Sequence, residues 1–290
     1  MVQAELVFDA KATLGEGPSW DVKKKRLYWV DIDQKKVHIY DPNRNENTSL
    51  EIGQLVSAVV PRESGGLVMV TENGFFTFDF DTRQLCPIAD PESHLPENRF
   101  NDGKCDAMGR FWAGTMHKKE FPEQGSLYCL ETNKVNRVLN HVSISNGISW
   151  SPDNQIFYYV DTPTKEVVAF DFDLDSGELK NKRVVVRIPD GAGVPDGMTT
   201  DTEGMIWVAH WGGYKVTRWN PMTGDLLDTI HLPVAKVTSC VFGGDDLDHL
   251  YITTARVGLS DEERLKQPYA GGLFCVKTKV KGLPTYPFKG

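Results

Sequence analysis

One short pattern recurs six times along the 290 residues: a turn, four mostly apolar residues, then a polar residue. The copies are "RLYWVD" ending at Asp31, "GLVMVT" at Thr71, "RFWAGT" at Thr115, "IFYYVD" at Asp161, "MIWVAH" at His210 and "HLYITT" at Thr254. Their successive spacings are 40, 44, 46, 49 and 44 residues. Each run is short and rich in aromatic and β-branched side chains, which favours strand over helix. Turn signals such as "ESGG", "DAMG", "SPDN" and "DTEG" precede most of them, and a second strand-like run usually follows. Six strand-rich units of this period predict an all-β chain folded as a six-bladed β-propeller, a single domain over residues 1–290. The segment Ala4–Asp9 is expected to join the last blade and close the ring. An irregular β-sandwich is the competing architecture. A WD40-type ring is disfavoured because "SWD" at Ser19 is a lone match.

Composition narrows the function. Hydrophobic residues make up 40% and charged residues 25%, enough for a buried core. The net charge of −8 argues against nucleic acid and anionic membranes as partners. No run is long enough to span a bilayer, and the N-terminus lacks the basic start and apolar stretch of a secretory leader. The five cysteines are odd in number and scattered, without metal-binding or redox spacing. Buried thiols in a cytoplasmic monomer or weak homo-oligomer are expected. "LGEGP" lacks the third glycine of a nucleotide loop, and no G-x-S-x-G elbow of a serine hydrolase occurs.

Counting back from the anchors exposes a second register. Glu16 lies fifteen residues before Asp31, Asn101 fourteen before Thr115, Asn146 fifteen before Asp161 and Asp196 fourteen before His210. The innermost strands of a propeller surround its axis, so these positions converge. Singly, Asn-Gly and Asp-Gly are turn formers. Four in register point instead to a shared site. Two carboxylates and two amides supply hard oxygen ligands for a divalent cation, with Ca²⁺, Mg²⁺ or Mn²⁺ favoured and Zn²⁺ and Fe²⁺ open. Without a cation the two carboxylates repel, and one is pushed towards its neutral form. Asp196 beside a cation is the candidate general base for a water nucleophile.

The stretches "LGEGPSW", "RFNDGKCDAMGRFWAGTM", "SNGISWSPDNQIFYYVDT", "PDGMTTDTEG" and "ITTARVGLS" resemble the SMP-30/gluconolactonase/regucalcin family. The similarity runs from Ala10 to Val276 and is greatest to bacterial sugar-lactone lactonases. The resemblance implies a six-bladed propeller and a metal-dependent hydrolase that opens sugar lactones such as gluconolactone or xylonolactone. It implies metal ligands at Glu16, Asn146 and Asp196, and substrate contacts at Arg99 and Asn101. The chain departs from the animal pattern after "GTM", where a substrate-contacting acid aligns with Lys119; Glu120 and Glu123 are the nearby acids. A non-catalytic calcium-binding regulator and an organophosphate or ester hydrolase are the alternative functions. His117 and His210 read as packing or solvent-exposed residues rather than catalytic ones. Trp211 reads equally as core or as a pocket wall, and "SDEERLKQ" from Ser260 as a solvated turn.

Overall fold

All six repeated runs are strands: Arg26–Asp31, Leu67–Thr71, Phe111–His117, Ile156–Asp161, Ile206–Trp211 and His249–Ala255. The computed structural model describes residues 3–290. Each run is the second strand of an antiparallel four-stranded array, with its polar anchor at or near the end. Four arrays are separate sheets. The other two are fused into an eight-stranded sheet by one residue pair, Trp211 with Lys236. The sixth array takes its outermost strand, Glu5–Phe8, from the start of the chain, where it pairs with Leu273–Lys277. The expectation for Ala4–Asp9 is met.

The first strands of the arrays are Gly15–Asp21, Val56–Pro61, Asn98–Cys105, Ser145–Trp150, Val194–Thr200 and Lys236–Gly243. Each packs against the next, and the sixth returns to the first. Period-two alternation gives each sheet two faces, and both are apolar because each is covered by a neighbour. An apolar cluster fills every junction. Between the second and third sheets Phe75 meets Phe100 edge-on at 4.9 Å. Between the third and fourth, Trp112 lies 5.3 Å from Phe157. Each such side chain, fully buried, contributes about 1.5–3 kcal/mol.

Two turns carry the same buried device. Asp106 accepts hydrogen bonds from the backbone N–H of Met108 and Arg110, from Arg110 Nε at 2.7 Å and from Trp112 Nε1 at 2.8 Å. Asp201 does likewise with Glu203 N, Met205 N, Trp207 Nε1 at 2.9 Å and Arg218 Nε at 2.7 Å. A single carboxylate thus closes the turn, orients the core indole and neutralises a guanidinium, buried for Arg110 and partly buried for Arg218.

Beyond the last strand the chain crosses between arrays. Gly282 N donates to Leu247 O, and Leu283 N to Thr200 O. Phe288 N then donates to Pro61 O and Lys289 N to Gly109 O, with Phe288 buried between the second and third sheets. "SDEERLKQ" contains the helix Asp261–Lys266, exposed and opened by a reciprocal capping box between Ser260 and Glu263. The five cysteines are unpaired, and only Cys86 is exposed. Among the described residues no helix is long and apolar enough to cross a membrane.

Candidate metal and substrate site

Every first strand is irregular at the same level. The pairing register slips between Glu16 and Ser19, Val56 and Ala58, Phe100 and Asp102, Asn146 and Ile148, Pro195 and Met198, and Val237 and Ser239. Such bulges re-aim side chains and recur beside functional sites. The glycines after the polar residues lie in strands rather than in turns, and close strand approach requires them. A Cβ on Gly147 would sit 2.8 Å from Asp196 O, and one on Gly197 would sit 2.0 Å from Ser239 Oγ. Gly17 has φ +54°, the left-handed region, and its Cβ would lie 2.9 Å from Ser57 O.

The bulges open a cavity of about 210 Å³ at this level, lined by Glu16, Arg99, Asn101, Asn146, Thr162 and Asp196 together with Leu14, Met116, Glu120, Ile144, Val194 and Trp211. A hydrogen-bond chain runs round its wall. Arg99 Nη1 donates to Asn101 Oδ1 at 2.7 Å, and Asn101 Nδ2 donates to Ser145 O at 2.8 Å and Asn146 Oδ1 at 3.1 Å. Asn146 Nδ2 donates to Thr162 Oγ1, which donates to Pro195 O next to Asp196. Because Ser145 O can only accept, the Asn101 amide orientation is fixed. Its oxygen is engaged by a guanidinium, whereas Asn146 Oδ1 accepts a single hydrogen bond from within the chain. Glu16 is held by Gly17 N at 2.9 Å. Asp31 and Asp161 brace the approach to two of these strands, accepting from Thr13 and Leu14 N and from Ser143 and Ile144 N.

The electrostatics are those of crowded, dry carboxylates. Burial, reinforced by the charge of Asp102, pushes Glu16 up to about 8 from its ordinary 4.5. Burial, then the charges of Glu16 and Asp102, push Asp196 well above the usual carboxylate range. Asp196 Oδ1 is buried without a hydrogen-bond partner. A buried, partnerless oxygen facing a second carboxylate is costly unless a proton or a cation satisfies it. The donor set fits a hard divalent cation: two carboxylates and an amide oxygen, with no sulfur or imidazole. Among the described residues no three His, Cys, Asp or Glu side chains cluster to hold a metal; here amide oxygen supplements the acids.

A pH dependence follows. With no cation, folded Glu16 keeps its proton up to about 8 whereas the unfolded chain releases it near 4.5. The folded state therefore binds more protons in that window, and stability falls as pH rises through it. Thermal melts in chelator should show a decreasing Tm between pH 5 and pH 8, and millimolar divalent cation should raise Tm more at pH 8 than at pH 5. An equal cation effect at both pH values would remove Glu16 from the ligand set.

The family model of the SMP-30/Gluconolactonase/LRE-like region matches residues 14–256. The chain belongs to the SMP-30/gluconolactonase/LRE-like family. A Bacillus subtilis relative named, by inference, sugar lactone lactonase YvrE is 40% identical over 290 residues, covering 100% of this chain and 99% of the relative. Regucalcin of Bos taurus is 40% identical over 296 residues, again covering 100% and 99%. Among solved structures, a calcium-binding regucalcin of Agrobacterium tumefaciens superposes with a TM-score of 0.96 at 29% identity, covering 100% of this chain and 98% of that one. The SMP-30 match begins two residues before Glu16 and spans all the inner strands.

Glu16, Arg99, Asn101, Asn146 and Asp196 all line the one cavity. Of the three residues left open after "GTM", Glu120 lines it, while Lys119 and Glu123 are exposed elsewhere. Glu120 sits at φ 56° with its N–H bonded to His117 O, a tight turn. His210 is fully buried, with both ring nitrogens bonded, to Ala192 O and Thr217 Oγ1, so it serves packing. Sequence reasoning missed Asp102 and Thr162. Asp102 follows Asn101 directly, and strict alternation would turn it away from the axis; the bulge brings its charge to bear on Glu16 and Asp196 instead.

Proposed function

We propose that the chain is one six-bladed propeller domain whose axial site hydrolyses sugar lactones to aldonic acids with a divalent cation. The reading is supported by the closed cycle of six inner strands and by the kinship with a protein named as a sugar lactone lactonase. The observation that carries it is the partnerless Asp196 Oδ1 in the same cavity as Glu16, Asn146 and Arg99.

Glu16, Asn146 and Asp196 would hold the cation. When bound, it supplies positive charge that polarises a lactone carbonyl and acidifies water. Arg99 offers guanidinium donors to substrate hydroxyls or to the oxygen that becomes negative. Asn101, locked between Arg99 and Ser145, orients that guanidinium. Asp196 Oδ1 takes a proton as the water oxygen bonds to the carbonyl carbon. The ring C–O bond then breaks, and the same proton returns to the departing alkoxide oxygen. Glu120 lines the same cavity as Arg99, where its charge acts on the guanidinium, and accepts from a substrate hydroxyl. Arg99→Ala should raise KM for aldonolactones about tenfold, with Glu120→Gln giving a smaller rise, read by initial-rate kinetics. An unchanged KM in Arg99→Ala would take Arg99 off the substrate list.

The regucalcin relatives favour a second reading, calcium binding without turnover. One experiment separates them. Protein stripped of metal is assayed by acid release on a panel of aldonolactones, aryl esters and phosphotriesters, restoring one divalent ion at a time. Lactone hydrolysis that returns with a cation supports the lactonase. Cation binding with no acid release on any lactone supports the calcium-binding protein, and turnover confined to phosphotriesters or aryl esters moves the chain to that class.

A further inference from the structure

The cavity has two unlike sides. Leu14, Arg99, Ile144 and Val194 each lie two residues before one of the site residues Glu16, Asn101, Asn146 and Asp196, and all eight line it. The upper collar is thus apolar except at Arg99. It continues into Trp211, whose indole belongs to no aromatic pair and whose Nε1 makes no hydrogen bond among the described residues. Lys236 Nζ stands 4.7 Å from the ring centroid and donates to Val257 O. The two residues are also the single ladder pair joining the fifth and sixth arrays. The indole therefore projects from a sheet junction with the Lys236 cation over its ring.

We propose that Trp211, pinned by Lys236, is a specificity-determining wall against which the C–H flank of a cyclic ester lies, so that the site takes ring lactones in preference to open-chain esters. The proposal rests on the lactone reading above and deepens it. A lactone ring carries its oxygens on one edge and C–H groups on its flanks. Arg99 and Asp196 meet the edge; Trp211, Ile144 and Val194 meet the flank. An open-chain ester has no flank held at a fixed angle to its carbonyl by a shared ring, and it loses more rotational freedom on binding. A wall already immobilised by Lys236 adds no ordering cost of its own.

The test uses Trp211→Ala, Trp211→Phe and Lys236→Met in calcium-containing buffer, with melting temperatures taken for each. Two readouts are needed: KM and kcat for an aldonolactone and for an aryl acetate, and calorimetric Kd for glucono-δ-lactam, a ring-matched amide. Trp211→Ala should raise lactone KM and lactam Kd about tenfold, change kcat by less than about threefold and leave aryl acetate KM unmoved. Trp211→Phe should recover most of the loss, and Lys236→Met should cost about threefold. A lactam Kd within about twofold of the parent in Trp211→Ala, or an equal weakening for aryl acetate, overturns the wall. If the parent hydrolyses no lactone yet binds the lactam in a Trp211-dependent way, the hydrolytic reading falls and the wall stands. If lactone turnover is present but the lactam Kd does not move in Trp211→Ala, the wall falls and the hydrolytic reading stands.

Discussion

Asp196→Ala should lower kcat for lactone hydrolysis about 10³-fold while the protein still folds, because the substitution removes the proposed base and a proposed ligand together. Its carboxylate is buried, faces Glu16 and leaves Oδ1 without a partner. Deleting it relieves repulsion in the cation-free protein, so stability in chelator should hold or rise. Activity and stability therefore move in opposite directions, which a merely structural aspartate would not do. Asp196→Asn separates the roles by keeping an oxygen for a cation while losing the base. Rates and melting curves of both variants decide the matter. If purified Asp196→Ala keeps more than about half the parent rate, Asp196 is not the base.

Asp106→Ala should be the most destabilising single substitution among the turns, at about 3–5 kcal/mol, because it strands a buried guanidinium. Asp106 and Arg110 are almost wholly buried, and Trp112 Nε1 loses its acceptor as well. For a chain of this size the loss corresponds to a Tm fall of roughly 5–8 °C by calorimetry. Asp201→Ala should behave similarly but less severely, since Arg218 also pairs with Glu203 at 2.6 Å. A Tm change under about 2 °C in Asp106→Ala would show that water or a neighbour replaces the carboxylate.

The repeat was legible in the sequence because strand and turn chemistry is local: aromatic and β-branched runs after Gly- and Asp-rich turns leave few choices. Glu16, Asn146 and Asp196 were legible because equal spacing from the anchors survives folding. The glycines beside them looked like turn formers, yet they answer to the approach of the neighbouring inner strand, a contact no local window contains. Asp102 was hidden by a bulge that breaks alternation. "DAMG" and "DTEG" read correctly as turns, but the bonds from Asp106 and Asp201 to indoles six residues on depend on side-chain direction. Glu120 depended on the path of a loop with left-handed residues at 120 and 123. The segment after Lys277 belongs to no repeat, so periodicity said nothing of it.

That last segment changes how the molecule comes apart. A row of like units can fray one at a time, since each leans only on its neighbours. Here the stretch through Gly282 and Phe288 is stitched to Leu247, Thr200, Pro61 and Gly109, which belong to four different arrays. Peeling any one of them away disturbs a strap shared with the others, while the borrowed strand Glu5–Phe8 makes the first stretch of chain part of the last array. Denaturation is thereby pushed towards a single concerted step, and the residues lining the inner-strand cavity stay in register until the whole cycle of strands lets go.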